Sequence, residues 1–176
     1  RGPTGYGVGL KDMVATKMTE NLIADNRVGV FLDGAESRQR GNVIAYNDIG
    51  LALLPSAQRN RLEENSLVEN GQQVVIEGGG LIAGNRWAGN FWSDYRGYDA
   101  DGDGTGDHPY EAVQLFERVT DRYPALRLYA SSPAVRAVEF AARLFPLFVP
   151  RPTLVDESPR MVSHVPAGLR HLGGGP

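Results

Sequence analysis

NLIADN (21–26), NVIAYN (42–47), NSLVEN (65–70) and NRWAGN (85–90) are four versions of one phrase. Each opens and closes on asparagine and carries a large apolar residue at its third position: Ile23, Ile44, Leu67 and Trp87. The copies begin 21, 23 and 20 residues apart. A second phrase keeps the same phase: GVGL (7–10), GVFL (29–32), GLAL (50–53) and QVVI (73–76). Its short apolar or alternating runs read as strands. A period of about 22 residues, with strands and no helical segment between them, predicts stacked coils. One coil cannot bury its inward face, but a stack can. The expected fold is therefore all-β, a right-handed parallel β-helix over residues 1–90.

Asparagine tolerates the left-handed backbone, which predicts it at the corners of each coil. Equivalent asparagines on successive coils are able to hydrogen-bond as ladders. The alignment predicts Asn21, Asn42, Asn65 and Asn85 in one ladder, and Asn26, Asn47, Asn70 and Asn90 in a second. A leucine-rich repeat has an overlapping period but needs several leucines per copy and a helical return. Here β-branched residues and glycine dominate, which disfavours it. Arg1 already falls inside the pattern, so further coils are expected before it.

The bulk numbers fit one domain with an appendage: 176 residues, 41% hydrophobic, net charge −3 and no cysteine. That charge gives no global field for nucleic acid or an anionic membrane. Without cysteine there is no disulfide, thiolate metal site or cysteine nucleophile. From Pro133 onward five arginines face Glu139, Asp156 and Glu157, so a slightly basic, apolar tail (124–176) follows an acidic body.

After Asn90 the repeat gives way to GNFWSDYRGYDADGDGTGDHPY (89–110). The aromatic residues Phe91, Trp92, Tyr95, Tyr98 and Tyr110 predict a cap, here taken as 91–123, that closes the last coil. Within it, Asp99, Asp101 and Asp103 have the one-three-five spacing of a calcium loop, with Gly104 at the turn and Asp107 at the ninth position. Tyr110 stands where an EF-hand has its bidentate glutamate, and no helix is predicted before the loop, so a shortened calcium loop is the reading. A solvated Asp-Gly turn without metal is the alternative. Either way a structural role is expected, fixing the passage from β-helix to tail.

The block GNFWSDY, DADGDGTGD and PY, following N-x-[apolar]-x-x-N repeats, resembles the carboxy-terminal half of the NosD family, periplasmic maturation proteins of nitrous oxide reductase. The resemblance implies a β-helix protein that works with the permease and ATPase subunits of an ABC transporter in assembling a copper–sulfur centre. Its implied partners are those subunits, a copper chaperone and the reductase, with copper or a sulfur species as cargo. Copper(I) favours thioether and imidazole donors. Candidate pairs are Met161 with His164 in RMVSH, and Met13 with Met18 near one corner of the first complete coil. His108, beside the acidic loop, reads as a hydrogen-bonding partner.

In the tail, AVRAVEFAARLF (134–145) predicts a helix with Ser132 as its cap and Pro133 at its first position. Arg136, Glu139 and Arg143 form one narrow polar stripe. The broad remaining face, with Val135, Val138, Phe140, Leu144 and Phe145, continues into Phe148 of PLFVP and is expected to dock on the transporter or touch the membrane surface; packing along the β-helix flank is the alternative. A rival function is a polysaccharide-binding or -modifying β-helix protein of the lyase or epimerase type, using Asp12, Asp33, Asp48 and Arg27. These groups do not recur in one phase, and the expectation is that the chain is not an enzyme. No nucleophile elbow, phosphate loop or zinc signature appears.

Overall fold

The structure is a computed structural model that describes residues 5–77, 84–112 and 152–166. Twelve strands wind into four coils with three faces. Each coil contributes one strand per face: β1 (Tyr6–Val14), β2 (Lys17–Thr19) and β3 (Leu22–Ala24); β4 (Val28–Ala35), β5 (Arg38–Arg40) and β6 (Val43–Ala45); β7 (Ile49–Leu53), β8 (Arg61–Glu63) and β9 (Ser66–Val68); β10 (Gln72–Ile76), β11 (Arg86–Ala88) and β12 (Phe91–Trp92). The sheets run β1-β4-β7-β10, β2-β5-β8-β11 and β3-β6-β9-β12, with parallel pairing throughout. This is the parallel β-solenoid that the repeat predicts. β13 (Tyr110–Ala112) and β14 (Leu154–Asp156) add a small antiparallel pair.

Inward side chains form columns. Leu10, Leu32, Leu53 and Ile76 stack in the first sheet. Met18, Gln39, Leu62 and Trp87 stack in the second. Ile23, Ile44, Leu67 and Trp92 stack in the third. The column expected from the sequence was therefore right in three members and wrong in the fourth: Trp87 lies over Leu62, and Trp92 lies over Leu67. The phrase NRWAGN (85–90) is the next copy of NRLEEN (60–65), one face earlier in the coil. Adjacent corners lie only five residues apart, so the same phrase occurs on two faces and a one-face slip is easily made.

The ladders shift accordingly. One runs Asn21, Asn42, Asn65, Asn90 and another runs Asn26, Asn47, Asn70. Asn85 belongs to a third corner, where its Oδ1 accepts the Asn60 backbone N–H and the Asn60 Oδ1 accepts that of Ser37. The asparagines themselves are not the left-handed residues. That conformation falls on the residue before each one: Glu20, Gly41, Glu64 and Gly89 have φ of 57°, 66°, 56° and 66°. The left-handed residue turns the chain, and the following asparagine points inward, where its side chain satisfies the backbone groups exposed by the turn.

Glycine opens three of the four first-sheet phrases for a packing reason. A Cβ on Gly29 would meet the Gly50 carbonyl at 2.7 Å, and one on Gly50 would meet the Gln73 carbonyl at 2.7 Å. In the last coil the equivalent residue is Gln73. Its Oε1 accepts from Asn70 Nδ2 and its Nε2 donates to Ser93 Oγ, which closes the second ladder.

Candidate functional site: the closed end and the aspartate loop

The first ladder is closed by a carboxylate. Along it, each asparagine Oδ1 accepts both the backbone and the side-chain N–H of the asparagine one coil below, at 2.9–3.1 Å. Asn90 has no fifth asparagine above it. Asp156, fully buried, stands in that place. Its Oδ2 accepts from Asn90 N (2.9 Å), Asn90 Nδ2 (2.8 Å) and Trp92 Nε1 (3.2 Å). Its Oδ1 accepts from Gly89 N (3.1 Å) and Ser158 N (3.2 Å). A carboxylate accepts and never donates when ionised, so it is suited to end a row of donors. Sequence reading missed Asp156, which lies far along the chain in a stretch with no repeat signal.

Aromatic rings cover the same end. Trp92 stacks on Tyr110 with centroids 4.1 Å apart and 9° between planes, and Trp87 tilts against Trp92 at 5.8 Å. Trp92 and Tyr110 are buried as a cap requires, whereas Tyr98 is 58% exposed. From Asp156 the chain runs on as a strap beside the ladder corner. Arg160 N donates to the Asn90 carbonyl, Arg160 Nη2 to the Glu64 carbonyl, and His164 N to Ser66 Oγ. His164 Nε2 lies 3.0 Å from Glu20 in the first coil, so the strap spans the stack.

The aspartate loop leans on this strap. Gly106 N donates to the Pro159 carbonyl and Met161 N to the Gly104 carbonyl. Asp99 gathers the loop: Oδ1 accepts from Gly102 N (2.7 Å) and Asp103 N (3.2 Å), and Oδ2 accepts from Gly104 N (2.8 Å). The bond from Gly104 is the main reason the Asp99 carboxyl titrates below its ordinary 3.8, with Gly102 adding to it. Asp99, Asp101 and Asp103 bring carboxylate oxygens within 4.8 Å of one another, a spacing one calcium ion is able to bridge. Asp107 is not in that group; its Oδ2 accepts from Ala100 N. Gly102 and Gly104 have φ of 75° and 87°, which the loop's turn requires. Gly97 and Gly106 have a different purpose: a Cβ on either would collide with the Tyr95 ring. That ring's hydroxyl donates to the His108 carbonyl, and His108 Nε2 sits 3.1 Å from the Tyr98 hydroxyl.

The two copper-donor pairs proposed from sequence, Met13 with Met18 and Met161 with His164, lie in different surroundings. Met18 is a core residue at 8% exposure, while Met13 is 44% exposed beside the bulge in β1. Met161 and His164 both lie half-buried on the strap, with the imidazole Nε2 engaged by Glu20. Met161 and His164 stay together on the strap while Met13 and Met18 differ in burial, so for copper the described residues offer one thioether–imidazole pair. The rival enzyme set is also divided. Asp12 and Asp33 sit near the end of β1 and β4, and Asp33 accepts from Ser56. Arg27 and Asp48 lie at the opposite end of that sheet, on the corner before β4 and β7. Val135, Val138, Phe140, Leu144, Phe145 and Phe148, and the helix expected over 134–145, lie outside the described residues. Among the described residues no helix is long and apolar enough to cross a membrane.

Residues 1–97 match the family model for the periplasmic copper-binding protein NosD. Two curated relatives carry the name probable ABC transporter binding protein NosD. One, from Pseudomonas aeruginosa, is 30% identical over 89% of this chain and 40% of its own length. The other, from Stutzerimonas stutzeri, is 27% identical over 89% of this chain and 39% of its own length. The chain thus spans about two fifths of the length of these relatives. With more than half of its residues inside the family model, and the solenoid that the repeat predicts, the chain belongs to the NosD family.

Proposed function

We propose that this chain is part of a periplasmic accessory protein that works with an ABC transporter in copper-site maturation of nitrous oxide reductase. The observation that carries the reading is the family match over residues 1–97, joined to relatives named as transporter-binding proteins. Copper or a sulfur species is the cargo, held transiently and exchanged with a copper chaperone and the reductase. A single thioether–imidazole pair, Met161 with His164, suits a transient cargo better than a resident copper centre. The solenoid supplies a rigid wall, closed at one end by Asp156 and Trp92. The apolar positions from Val135 to Phe148 are the docking element for the permease and ATPase assembly.

The test is co-purification of the full-length protein with its transporter, with and without residues 133–150, a deletion that keeps Asp156 and the strap in the chain. Deletion is expected to abolish association while the strand circular dichroism persists. Undiminished complex formation by the truncated protein overturns the docking assignment, and failure of the intact protein to associate overturns the reading itself. The loop of Asp99, Asp101 and Asp103 is proposed to take one structural calcium ion. Isothermal titration is expected to show calcium heat that Asp101→Asn together with Asp103→Asn removes. Absence of heat and of any melting shift overturns the calcium assignment.

The rival reading, a polysaccharide-modifying enzyme, loses support from the division of Asp12 and Asp33 from Asp48 and Arg27. Its relatives are named as binding proteins.

A further inference from the structure

The second sheet carries an unusual outer face. Its strands present Lys17, Arg38, Arg61 and Arg86 at one register position, one directly above another. The strand spacing of ~4.8 Å makes this a line of four cations about 14 Å long. Like charges placed directly opposite on neighbouring strands are destabilising. The other outward position of this sheet holds Thr19, Arg40, Glu63 and Ala88, so the eight outward residues comprise five cations and one carboxylate. The corresponding outward residues of the third sheet, from Leu22 to Phe91, include no charge, and the strap leans on that face through Ser66. The second sheet's basic face therefore stands on a protein whose net charge is −3.

Two of its cations are answered locally: Arg86 by Glu63 at 3.4 Å and Arg40 by Glu64 at 2.7 Å. Lys17, Arg38 and Arg61 have no ion pair among the described residues. These three line an open groove of about 350 Å³ that also includes Arg59 and Glu36, which pair at 3.0 Å. The groove thus has unpaired cations in a row and one carboxylate at its edge.

We propose that this groove docks an acidic, extended segment of a partner protein. The cations form a line, so they match a chain of acids better than a single converging oxyanion. Arginine forks engage carboxylates in paired hydrogen bonds, and the long side chains adjust to irregular acid spacing. Glu36, held through Oε1 by Arg59, keeps Oε2 as an acceptor at the groove's edge for a backbone N–H of a bound peptide. The proposal is independent of copper and of the tail: its failure leaves the maturation reading standing, and the reverse also holds.

The test uses the full chain and a fluorescently labelled oligo(Glu-Gly) peptide long enough to span the column, with binding read by anisotropy at low salt. Binding is expected, with steep loss as sodium chloride rises. Lys17→Gln, Arg38→Gln and Arg61→Gln combined are expected to weaken it about tenfold or more, the joint effect of three exposed ion pairs. Arg40→Gln, on the same face but paired with Glu64, is expected to change it less than about twofold. Should the triple variant melt early, Arg38→Gln alone is read and must still weaken binding. The proposal is overturned by no binding at low salt, or by equal losses in the triple and Arg40 variants. It is equally overturned if oligogalacturonate binds and the peptide does not.

Discussion

Asp156 and Asp99 use the same chemistry for opposite ends. Each is a carboxylate that collects N–H donors, five at Asp156 and three at Asp99. Asp156 is fully buried, its donors come from Gly89, Asn90, Trp92 and Ser158, and its removal would leave several of them without water or partner. The Asp99 side chain gathers only local amides in a surface loop, where water stands ready to replace it. The difference teaches that a carboxylate's structural importance follows from what else is able to reach its donors, rather than from how many bonds it makes.

The largest break in that comparison is Asp156→Ala. It orphans the backbone and side-chain N–H of Asn90 together with the indole N–H, and unties the strap from the aromatic end. A loss of about 3–5 kcal/mol is expected, in line with leaving buried donors unpaired. Urea unfolding followed by tryptophan fluorescence measures it, since Trp87 and Trp92 both lie at that end. Asp156→Asn sharpens the point. Its Oδ1 restores the acceptor a fifth rung would supply, but its amide nitrogen meets donors, so an intermediate loss of about 1–3 kcal/mol is expected. If Asp156→Ala were as stable as the parent, the ladder would need no terminator.

The same logic grades the rungs. Asn65 is buried; its Oδ1 serves Asn42 twice, and its Nδ2 reaches the Gln39 carbonyl. Asn21 is exposed at the first coil and donates to Asn42 and to the Thr19 carbonyl. Asn65→Ala is expected to cost about 2–4 kcal/mol, and Asn21→Ala about 0.5 kcal/mol. Equal costs in parallel denaturation curves would mean that the rungs act independently of burial.

What the sequence disclosed and withheld follows from the same physics. The coil was legible because inward side chains must recur in phase, as Ile23, Ile44 and Leu67 do. The face was less legible, because NRLEEN and NRWAGN satisfy one corner as well as NSLVEN satisfies the next, and only pairing distinguishes them. The clustering of Asp99, Asp101 and Asp103 was legible because it is local, while Asp107 turned to Ala100 and the loop's bonds to Pro159 and Met161 carried no local signal. Asp156 was not legible, since four of its five donors lie 64 to 67 residues earlier and no local pattern announces a contact of that range. The basic column was also hidden: Lys17, Arg38, Arg61 and Arg86 look scattered until the strands stack them.

The smallest expected effect belongs to Asp99. Its folded titration lies below the ordinary 3.8, chiefly because Gly104 N–H donates to the ionised form. The sign follows from linkage: the stabilisation is fully present above 3.8 and is lost as pH falls through the lower folded value. Since the side chain meets solvent, the loss stays within the loop. Amide exchange at Gly102 and Gly104 is expected to speed up at acid pH, beyond the intrinsic trend, while the solenoid's melting temperature holds over the same step. Asp99→Asn should remove that pH dependence and leave the ladder's protection untouched. A coincident acid transition in loop and ladder amides would show instead that the two carboxylates belong to one cooperative unit, and the contrast between them would fail.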